Sequence, residues 1–325
     1  MTHIYGIDHG NGNLKTEHLQ FPCGFKMEET KPSAVFAKDI IEYKGKFYSL
    51  TSNRFPYSTD KTTNENSIIF TLFGIAKETV RRAEMRKTDF DFKRDFSGFI
   101  GADVILAVGL PPAHFEKQAK AFKKYFMDEF RNGVIFKYND KPFNFYVRDV
   151  QVFPQDYAGI LAFKPEFLAD YDTVYCIDIG DGTVDMVGIT GGNPDKDTIV
   201  SREFGMNKLR SQIIDDVIHD YGVTLDHKTV EAFLSGGKVA LAPDVAENIK
   251  GRITQTCEQF TTDLVNQLHS KVADFRVFPT VFMGGGALAL KPYLDKTKAF
   301  GITEYIDNVN ANAIGYQVFA NANMK

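Results

Sequence analysis

The chain has 325 residues, of which 43% are hydrophobic and 25% are charged, and its formal net charge is −4. This length suggests about two domains with sizeable cores, and the composition is that of a globular protein. The acidic balance argues against a broad basic face that binds nucleic acid directly.

The three cysteines are Cys23, Cys176 and Cys257, which lie far apart without a C-x-x-C pair. This spacing indicates neither a zinc site nor a disulfide framework. No apolar run is long enough to span a bilayer, and Thr2 and His3 precede a strand rather than a signal peptide. We therefore expect a cytoplasmic protein without a membrane partner.

The first part of the chain is predicted to contain a small β-meander, a polar loop at 51–63 and a long helix. Asn64 is the expected helix cap, and the helix runs to about Lys87 with one apolar face. The charged stretch 84–95 is interpreted as solvated surface. The strands expected in the meander are 4–8, 14–21, 33–37, 39–43 and 46–50.

The middle of the chain alternates strand and helix patterns. A buried strand at 102–109 ends at Leu110-Pro111-Pro112, an amphipathic helix follows, and a hairpin precedes a short helix that reaches about Phe163. Pro165 and the loop after it mark the passage into the second half. The helix is expected at 114–131, and the hairpin strands at 134–138 and 143–153.

The second half begins with a hairpin at 173–190 and ends with a short helix of small residues at 311–320. Between them we predict helices at 211–221, 226–235 and 243–273 and a strand at 278–283. That strand leads into Gly284, Gly285, Gly286 and Ala287. Triple glycine at a strand-to-helix junction lets a flat ligand lie against bare backbone, although a flexible turn is the alternative.

The hairpin in the second half carries the most informative motif, Tyr175–Asp185 (YCIDIGDGTVD). A buried strand stops at the carboxylate of Asp178 and enters a turn with Gly180 and Gly182. Glycine permits positive φ and close approach, so such a turn can direct N–H groups at phosphate oxygens. The alternative is an ordinary tight hairpin turn.

A second copy of this motif lies at the N-terminus, where Ile4–Lys15 (IYGIDHGNGNLK) repeats strand, aspartate, glycine turn and strand. Asp8-x-Gly10-x-Gly12 aligns with the later Asp-x-Gly-x-Gly without a gap. An internal repeat of this kind is evidence about how the fold is organised. Two such hairpins could clamp a polyphosphate, each with a carboxylate for a metal. Lys15 is a candidate phosphate cation, or else an ordinary solvated lysine.

Five features occur here in the order typical of the actin superfamily: phosphate hairpin, Pro154-Gln155 connector, second phosphate hairpin, strand with Gly-Gly-Gly-Ala, and an Asn-Ala-Ile-Gly helix at 312–315. Within that superfamily the chain most resembles bacterial plasmid-segregation proteins of the ParM type, also through Ala102–Lys117 (ADVILAVGLPPAHFEK). The resemblance implies an α/β actin-like fold with two related domains around a nucleotide cleft. Domain I would be 1–163 plus 309–325, and domain II would be 164–308.

The resemblance also implies site residues. Asp8 and Asp178 match the acidic residues that hold Mg²⁺ largely through its waters, and Asp178 is also assigned to catalysis. Gln155 stands where the family has a Gln or Glu that orients the attacking water, although it could merely cap the helix that follows. The ParM subgroup uses Glu there. The nucleotide contacts implied are Gly10, Asn11, Gly12, Asn13, Lys15, Gly180, Asp181, Gly182, Thr183, Gly284, Gly285, Gly286 and Ala287.

Three further positions are less distinctive. Gly205–Lys208 and Glu231 lie where the family often contacts ribose and base, and His9 is interpreted as a turn histidine with a solvated ring. No Ser/His/Asp or Cys/His catalytic set can be assembled.

The function implied by the resemblance is an ATPase, with GTP as the alternative nucleotide, that uses Mg²⁺ and forms head-to-tail filaments for plasmid DNA segregation. The DNA would be reached through a DNA-binding adaptor protein. One alternative is a small-molecule kinase on the same fold, for which no convincing substrate-side base is found. Another is a chaperone-like or regulatory ATPase module, which would need an attached domain that the sequence does not contain.

Overall fold

The structure, a computed structural model, describes residues 2–33, 35, 37–56 and 65–324. The chain divides into two compact units, of which unit 1 comprises 1–163 and 310–325 and unit 2 comprises 164–309. Each unit contains one β-sheet with helices packed against it. The mixed α/β class is therefore confirmed.

Unit 1 contains a nine-stranded sheet in the order β3-β2-β1-β7-β9-β8-β5-β6-β4. Strands β1, β7 and β9 are parallel neighbours, and β1 also pairs with β2 in an antiparallel hairpin. The strands are β1 (Thr2–His9), β2 (Asn13–Lys15), β3 (Gln20–Pro22), β4 (Phe25–Glu28), β5 (Ile40–Tyr43), β6 (Lys46–Leu50), β7 (Phe99–Leu110), β8 (Val134–Tyr138) and β9 (Lys141–Pro154).

The first four helices of unit 1 are α1 (Asn66–Arg86), α2 (Phe92–Asp95), α3 (Pro112–Phe130) and α4 (Tyr157–Phe163). Helix α3 begins at a proline because the missing N–H of proline costs nothing in the first turn. Its Phe122, Phe126 and Phe130 recur every four residues and are fully buried. Two of these rings contact the imidazole of His9, which fixes α3 beside the end of β1.

Unit 2 contains a five-stranded sheet in the order β12-β11-β10-β13-β14. Its strands are β10 (Thr173–Ile179), β11 (Val184–Thr190), β12 (Asn193–Arg202), β13 (Thr280–Met283) and β14 (Thr303–Tyr305). Its helices are α5 (Pro165–Asp170), α6 (Met206–Tyr221), α7 (His227–Leu234), α8 (Pro243–Leu268) and α9 (Gly285–Leu294), with a short 3₁₀ turn at Phe275–Val277.

The last helix, α10 (Ala311–Ala322), returns to unit 1 and packs on β1, β7 and α4. The approach is close because glycines face the helix. A Cβ added to Gly6 would lie 2.0 Å from the carbonyl oxygen of Ala313, and one added to Gly109 would lie 2.1 Å from the Tyr316 ring. Tyr316 and Ala320 are fully buried there. The helix is therefore part of the unit 1 core, although a long stretch of sequence separates it from that unit's strands.

Several predicted elements differ from the structure. The expected strand 14–21 is two short strands, because Thr16 and Leu19 close a turn between them. The expected strand 33–37 is wrong at the described residues 33, 35 and 37, where Ala37 N donates to Ser33 O in a turn. Strands β4, β12 and β14 were not anticipated, and helix α5 replaces the loop expected after Pro165. The expected cap Asn64 lies outside the described residues.

A buried charge network ties α1 to the turn between β2 and β3. Glu78 is 1% exposed and accepts hydrogen bonds from Thr16 Oγ1 (2.7 Å) and Arg82 Nε (2.8 Å). His18 Nδ1 lies 2.6 Å from Glu78 Oε1, the oxygen that also accepts from Arg82. Burial raises the pKa of Glu78, but the hydrogen bonds from His18 and Thr16 and the charge of Arg82 outweigh it and hold that pKa below its ordinary value.

Replacing Glu78 with glutamine is expected to lower the free energy of unfolding at neutral pH by about 2–4 kcal/mol, because Arg82 loses a buried partner. The pKa of Glu78 is lower in the folded state than in the unfolded state. The ionised carboxylate therefore stabilises the fold above the unfolded-state pKa, and this stabilisation is lost as pH falls through the folded-state pKa. The difference in free energy of unfolding between wild type and Glu78→Gln should therefore be constant near neutral pH and become smaller below about pH 4.5. Denaturant unfolding across pH checks this, with exposed Glu84→Gln on the same helix as the control. A gap that stays constant down to pH 3 would contradict it.

Candidate functional site

The first hairpin, in unit 1, places a carboxylate at the end of a buried strand. Asp8 pairs with Lys15 across the β1–β2 ladder and is only 2% exposed. The turn between the strands is tied to the neighbouring segment, because Cys23 N donates to Gly12 O (3.0 Å) and Cys23 Sγ to Gly10 O (3.1 Å). The turn is thus anchored rather than free.

Three of the predicted residues come together on this hairpin. Gln155 Nε2 donates to Asp8 Oδ1 at 2.7 Å, and Lys15 Nζ lies 3.7 Å from Asp8 Oδ2. Gln155 is itself 9% exposed. The side chain of Gln155 therefore contacts the carboxylate of Asp8 directly.

Gln155 is positioned by a strained turn after β9. The backbone N–H of Gln155 donates to Leu110 O (2.9 Å), which continues the β7–β9 pairing. The next residue, Asp156, has φ of +63° and is 1% exposed. Its backbone N–H donates to Asn312 Oδ1 (2.9 Å) on α10. A non-glycine residue at positive φ is strained, so helix α10 helps to hold Gln155 in place.

Arg54 is a functional candidate that the sequence reasoning missed. Its Nε donates to Gly12 O at 3.0 Å, and its Nη2 lies 3.4 Å from Asn13 Oδ1. It therefore adds a half-buried positive charge to the first hairpin beside the predicted Asn11 and Asn13. Arg54 stands in the stretch interpreted as polar loop, where neither periodicity nor motif distinguishes it.

His9 has a different environment from the one expected. Its ring is 5% exposed, packs against two phenylalanines of α3 and bonds through Nε2 to Thr71 Oγ1 at 2.8 Å. The interpretation of His9 as a solvated turn histidine is wrong, because it is still part of β1 and points into the core. The His9 side chain therefore anchors the end of β1 in the core and is not solvated.

In the second hairpin, which lies in unit 2, the aspartate before the turn occupies the same position in the strand pairing as Asp8 does in the first. Asp178 pairs with Asp185 across β10 and β11, and Gly180 N donates to Thr183 O (2.9 Å) to close the turn. Thr183 Oγ1 donates to Asp185 Oδ2 at 2.7 Å. Asp178 is half-buried and lies at the end of its strand.

The beginning of α6 packs directly on this turn. The N–H groups of Met206 and Asn207 donate to the carbonyls of Gly180 (3.0 Å) and Asp181 (2.8 Å). A Cβ on Gly205 would lie 2.4 Å from Asp181 O, so only glycine fits. The segment Gly205–Lys208 was expected to contact ribose or base. In the structure its backbone supports the hairpin, and Lys208 Nζ lies over the Phe204 ring at 4.3 Å.

A buried arginine on α6 also holds the hairpin. Arg210 is 4% exposed, and its Nη2 donates to Asp181 Oδ1 at 2.6 Å. An arginine–carboxylate hydrogen bond is charge-assisted and directional. Asp181 is thus engaged by Arg210, a residue that no sequence motif distinguishes. Glu231 lies on the exposed face of α7, a helix that packs against α6.

The triple-glycine turn is adjacent to the second hairpin because β13 runs parallel to β10, with Met283 beside Asp178. Gly284 has φ of +87°, and a Cβ there would lie 2.1 Å from Asp178 Oδ1. Gly286 and Ala287 are buried in the first turn of α9. Gly285 is exposed, and a Cβ on it would meet nothing within 4 Å. The bare backbone at Gly285 is therefore open to a ligand.

Gly284 and Gly285 give a matched pair of substitutions. Gly284→Ala is expected to lower stability by about 1–3 kcal/mol or more, because alanine rarely adopts that φ and its methyl group meets the Asp178 carboxylate. Gly285→Ala should leave stability within about 0.5 kcal/mol but weaken ATP binding several-fold if the nucleotide lies on this turn. Thermal unfolding and nucleotide titration measure the two effects. Unchanged affinity in folded Gly285→Ala would contradict the nucleotide contact.

Comparison with known proteins agrees with this architecture. Residues 176–296 match a family model described as the C-terminal part of archaeal MreB-like actin homologues. Comparison of the sequence with curated proteins gives no match. Among the described residues, no helix has both the length and the apolar character needed to cross a membrane.

Solved structures of actin homologues resemble this chain. The archaeal actin homologue Ta0583 superposes with a TM-score of 0.75 at 15% identity, covering 98% of this chain and 99% of that one. A ParM filament from Clostridium botulinum gives 0.71 at 18% identity over 99% and 100%. Bacillus thuringiensis ParM with ATP gives 0.65 at 12% identity over 98% of each chain. The resemblance to the actin superfamily is confirmed at the level of the fold.

Proposed function

We propose, from the premise that this chain has the actin-like fold, that it binds ATP with Mg²⁺, hydrolyses it and polymerises into filaments. Both glycine hairpins are proposed as phosphate-binding elements, and the turn at 284–287 as the adenosine-binding element. Structures of similar fold have been solved with ATP. GTP is a second candidate nucleotide.

The observation that carries the proposal is the hydrogen bond from Gln155 to Asp8, at 2.7 Å. It brings the amide of Gln155, from the turn after β9, to the hairpin carboxylate that Lys15 also approaches, at 3.7 Å. Carboxylate oxygens suit Mg²⁺, which keeps most of its waters, and an amide beside such waters can orient one of them. The proposed roles are therefore metal binding for Asp8, water positioning for Gln155 and phosphate neutralisation for Lys15.

In unit 2 the donor set also fits a metal–phosphate group. Asp178 offers carboxylate oxygens at a strand end, and the turn that follows is anchored by α6 and by Arg210. Mg²⁺, when bound, would neutralise charge that develops on the transferred phosphoryl group. Asp178 would hold it through water, and the Gly180–Thr183 turn would line the phosphates through backbone N–H groups other than that of Gly180, which donates to Thr183 O.

Self-association is proposed because the similar ParM structure is a filament, described as 15-stranded. Head-to-tail contacts are heterologous and generate open polymers. We propose plasmid DNA as the cargo, in the cytoplasm, and a DNA-binding adaptor as the link, since a net charge of −4 does not favour direct binding.

Sedimentation and light scattering across a protein concentration series test the proposal, with ATP, GTP, ADP and no nucleotide, each with Mg²⁺. We expect a critical concentration that ATP lowers and that rises again as ATP is hydrolysed, because a ligand shifts an equilibrium only by its differential affinity. Failure to sediment at any concentration, combined with hydrolysis stimulated by a small hydroxylated acceptor, would favour a kinase of the same fold.

A further inference from the structure

Unit 1 contains a groove that the proposed nucleotide function does not use. It has a volume of about 390 Å³ and lies where β5, β6 and β8 approach helix α2. Its lining comprises four lysines, two phenylalanines, two acidic residues and three others: Lys31, Lys38, Lys93, Lys137, Phe47, Phe92, Glu42, Asp140, Ala37, Ile40 and Asn139. None of these residues is among those proposed to bind nucleotide.

The groove has a fixed wall. Asn139, at φ of +45°, accepts from Ile40 N through Oδ1 and donates to Lys38 O through Nδ2, both at 2.9 Å. The backbone N–H of Asn139 also donates to Ile40 O (2.9 Å). These bonds fasten the β8–β9 turn to the segment that carries Lys38. The positions of the groups along this wall are thus set by the fold.

The charges around the groove are unbalanced. Lys31 is paired with Asp140 at 2.6 Å, and Lys137 is paired with Glu42 at 3.0 Å. Both acidic residues of the lining are therefore already engaged. In the part of the chain that the structure describes, the ammonium groups of Lys38 and Lys93 make no ion pair or hydrogen bond. Two positive charges are left over in a protein whose net charge is −4.

The floor of the groove is apolar. Phe47 and Phe92 are half-buried rather than covered. Phe92 stacks on Phe96 with ring centroids 5.5 Å apart, and Lys141 Nζ lies 5.8 Å from the Phe92 ring centre. The Phe92 ring is therefore held by the core on one side. Exposed aromatic surface next to uncompensated lysines fits a ligand that is both apolar and anionic.

We propose that this groove binds an acidic peptide segment of a partner protein. An apolar side chain of the peptide packs against Phe47 and Phe92, and carboxylates on either side of it pair with Lys38 and Lys93. A nucleic acid is disfavoured because two uncompensated lysines neutralise few phosphates of a nucleic-acid backbone, whereas they suffice for the two carboxylates of a short peptide segment. The groove shares no residue with the proposed nucleotide site.

The test uses fluorescence anisotropy of a short labelled peptide with Asp and Glu on either side of a central Phe. Three proteins are compared: wild type, Lys38→Glu/Lys93→Glu, and a control with the same charge change on α3, Lys117→Glu/Lys120→Glu. These control lysines are also exposed in unit 1 but lie outside the groove. Circular dichroism confirms that all three are folded.

We expect the groove variant to bind at least about 10-fold more weakly than wild type, and the α3 variant to bind within about 2-fold of it. Wild-type binding should weaken as salt is raised, because exposed charges are screened. Equal losses in both variants, or no binding to wild type, would overturn the proposal. So would tighter binding of a single-stranded oligonucleotide that the groove variant abolishes.

Discussion

Replacing Asp178 with asparagine is expected to reduce the rate of ATP hydrolysis with Mg²⁺ by about 100-fold or more. Asparagine has nearly the same shape as aspartate, so the contact with Gly284, where a Cβ would lie 2.1 Å from Oδ1, is kept while the charge is lost. The metal would then lose an anionic partner at the end of β10. Phosphate release under saturating ATP measures the effect.

Asp197→Asn on β12 is a suitable control for this prediction, because it removes an exposed carboxylate from the same unit. It should hydrolyse ATP at the wild-type rate. The free energy of unfolding of Asp178→Asn should also stay near that of wild type, which separates a metal role from a structural one. Turnover within a few-fold of wild type in Asp178→Asn would mean that the second hairpin is not the metal site.

Replacing Gln155 with alanine is expected to slow hydrolysis by about 100- to 1,000-fold and to change ATP affinity by only a few-fold. The reason is that Gln155 contacts Asp8 through its amide, at 2.7 Å, and is proposed to act on water rather than on the phosphates. Filaments of this variant should persist longer after ATP is added. Single-turnover hydrolysis and equilibrium ATP titration separate the two quantities.

Gln20→Ala, at an exposed position of β3 in the same unit, serves as the control and should hydrolyse ATP as wild type does. A parallel loss of affinity and turnover in Gln155→Ala would indicate that Gln155 only supports the turn after β9. Asp156 and Asn312 would then be sufficient to explain why a polar residue stands there.

The two hairpins are predictable from sequence because their signal is local. An apolar run, an aspartate and two glycines within a few residues identify a strand end and a tight turn, and the structure has both turns where the motif places them. The roles of Asp8, Gln155 and Asp178 in metal binding and catalysis stay predictions, since they depend on a bound nucleotide.

The supporting residues are not predictable in this way, because their function arises from tertiary contacts. Arg54 and Arg210 stand in unremarkable local strings, and only the fold brings their guanidinium groups to Gly12 and Asp181. His9 looks like a turn residue in sequence, but it is buried because α3 packs phenylalanines over it. The short strands β4 and β14 likewise form because a neighbouring strand offers a partner, not because their own sequences demand it.

The docking of α10 has a consequence for how the chain is made. Unit 2 is one continuous stretch, 164–309, whereas unit 1 consists of 1–163 and 310–325. On the ribosome, the first 163 residues emerge without the helix that Gly6 and Gly109 are shaped to receive, and without Asn312 to hold the turn at Asp156. Proteins commonly complete their N-terminal domain first during synthesis. Here unit 2 can fold before unit 1 is complete, because unit 1 lacks α10 until residues 311–322 have been synthesised. Gln155 therefore acquires its final support only when α10 has been translated.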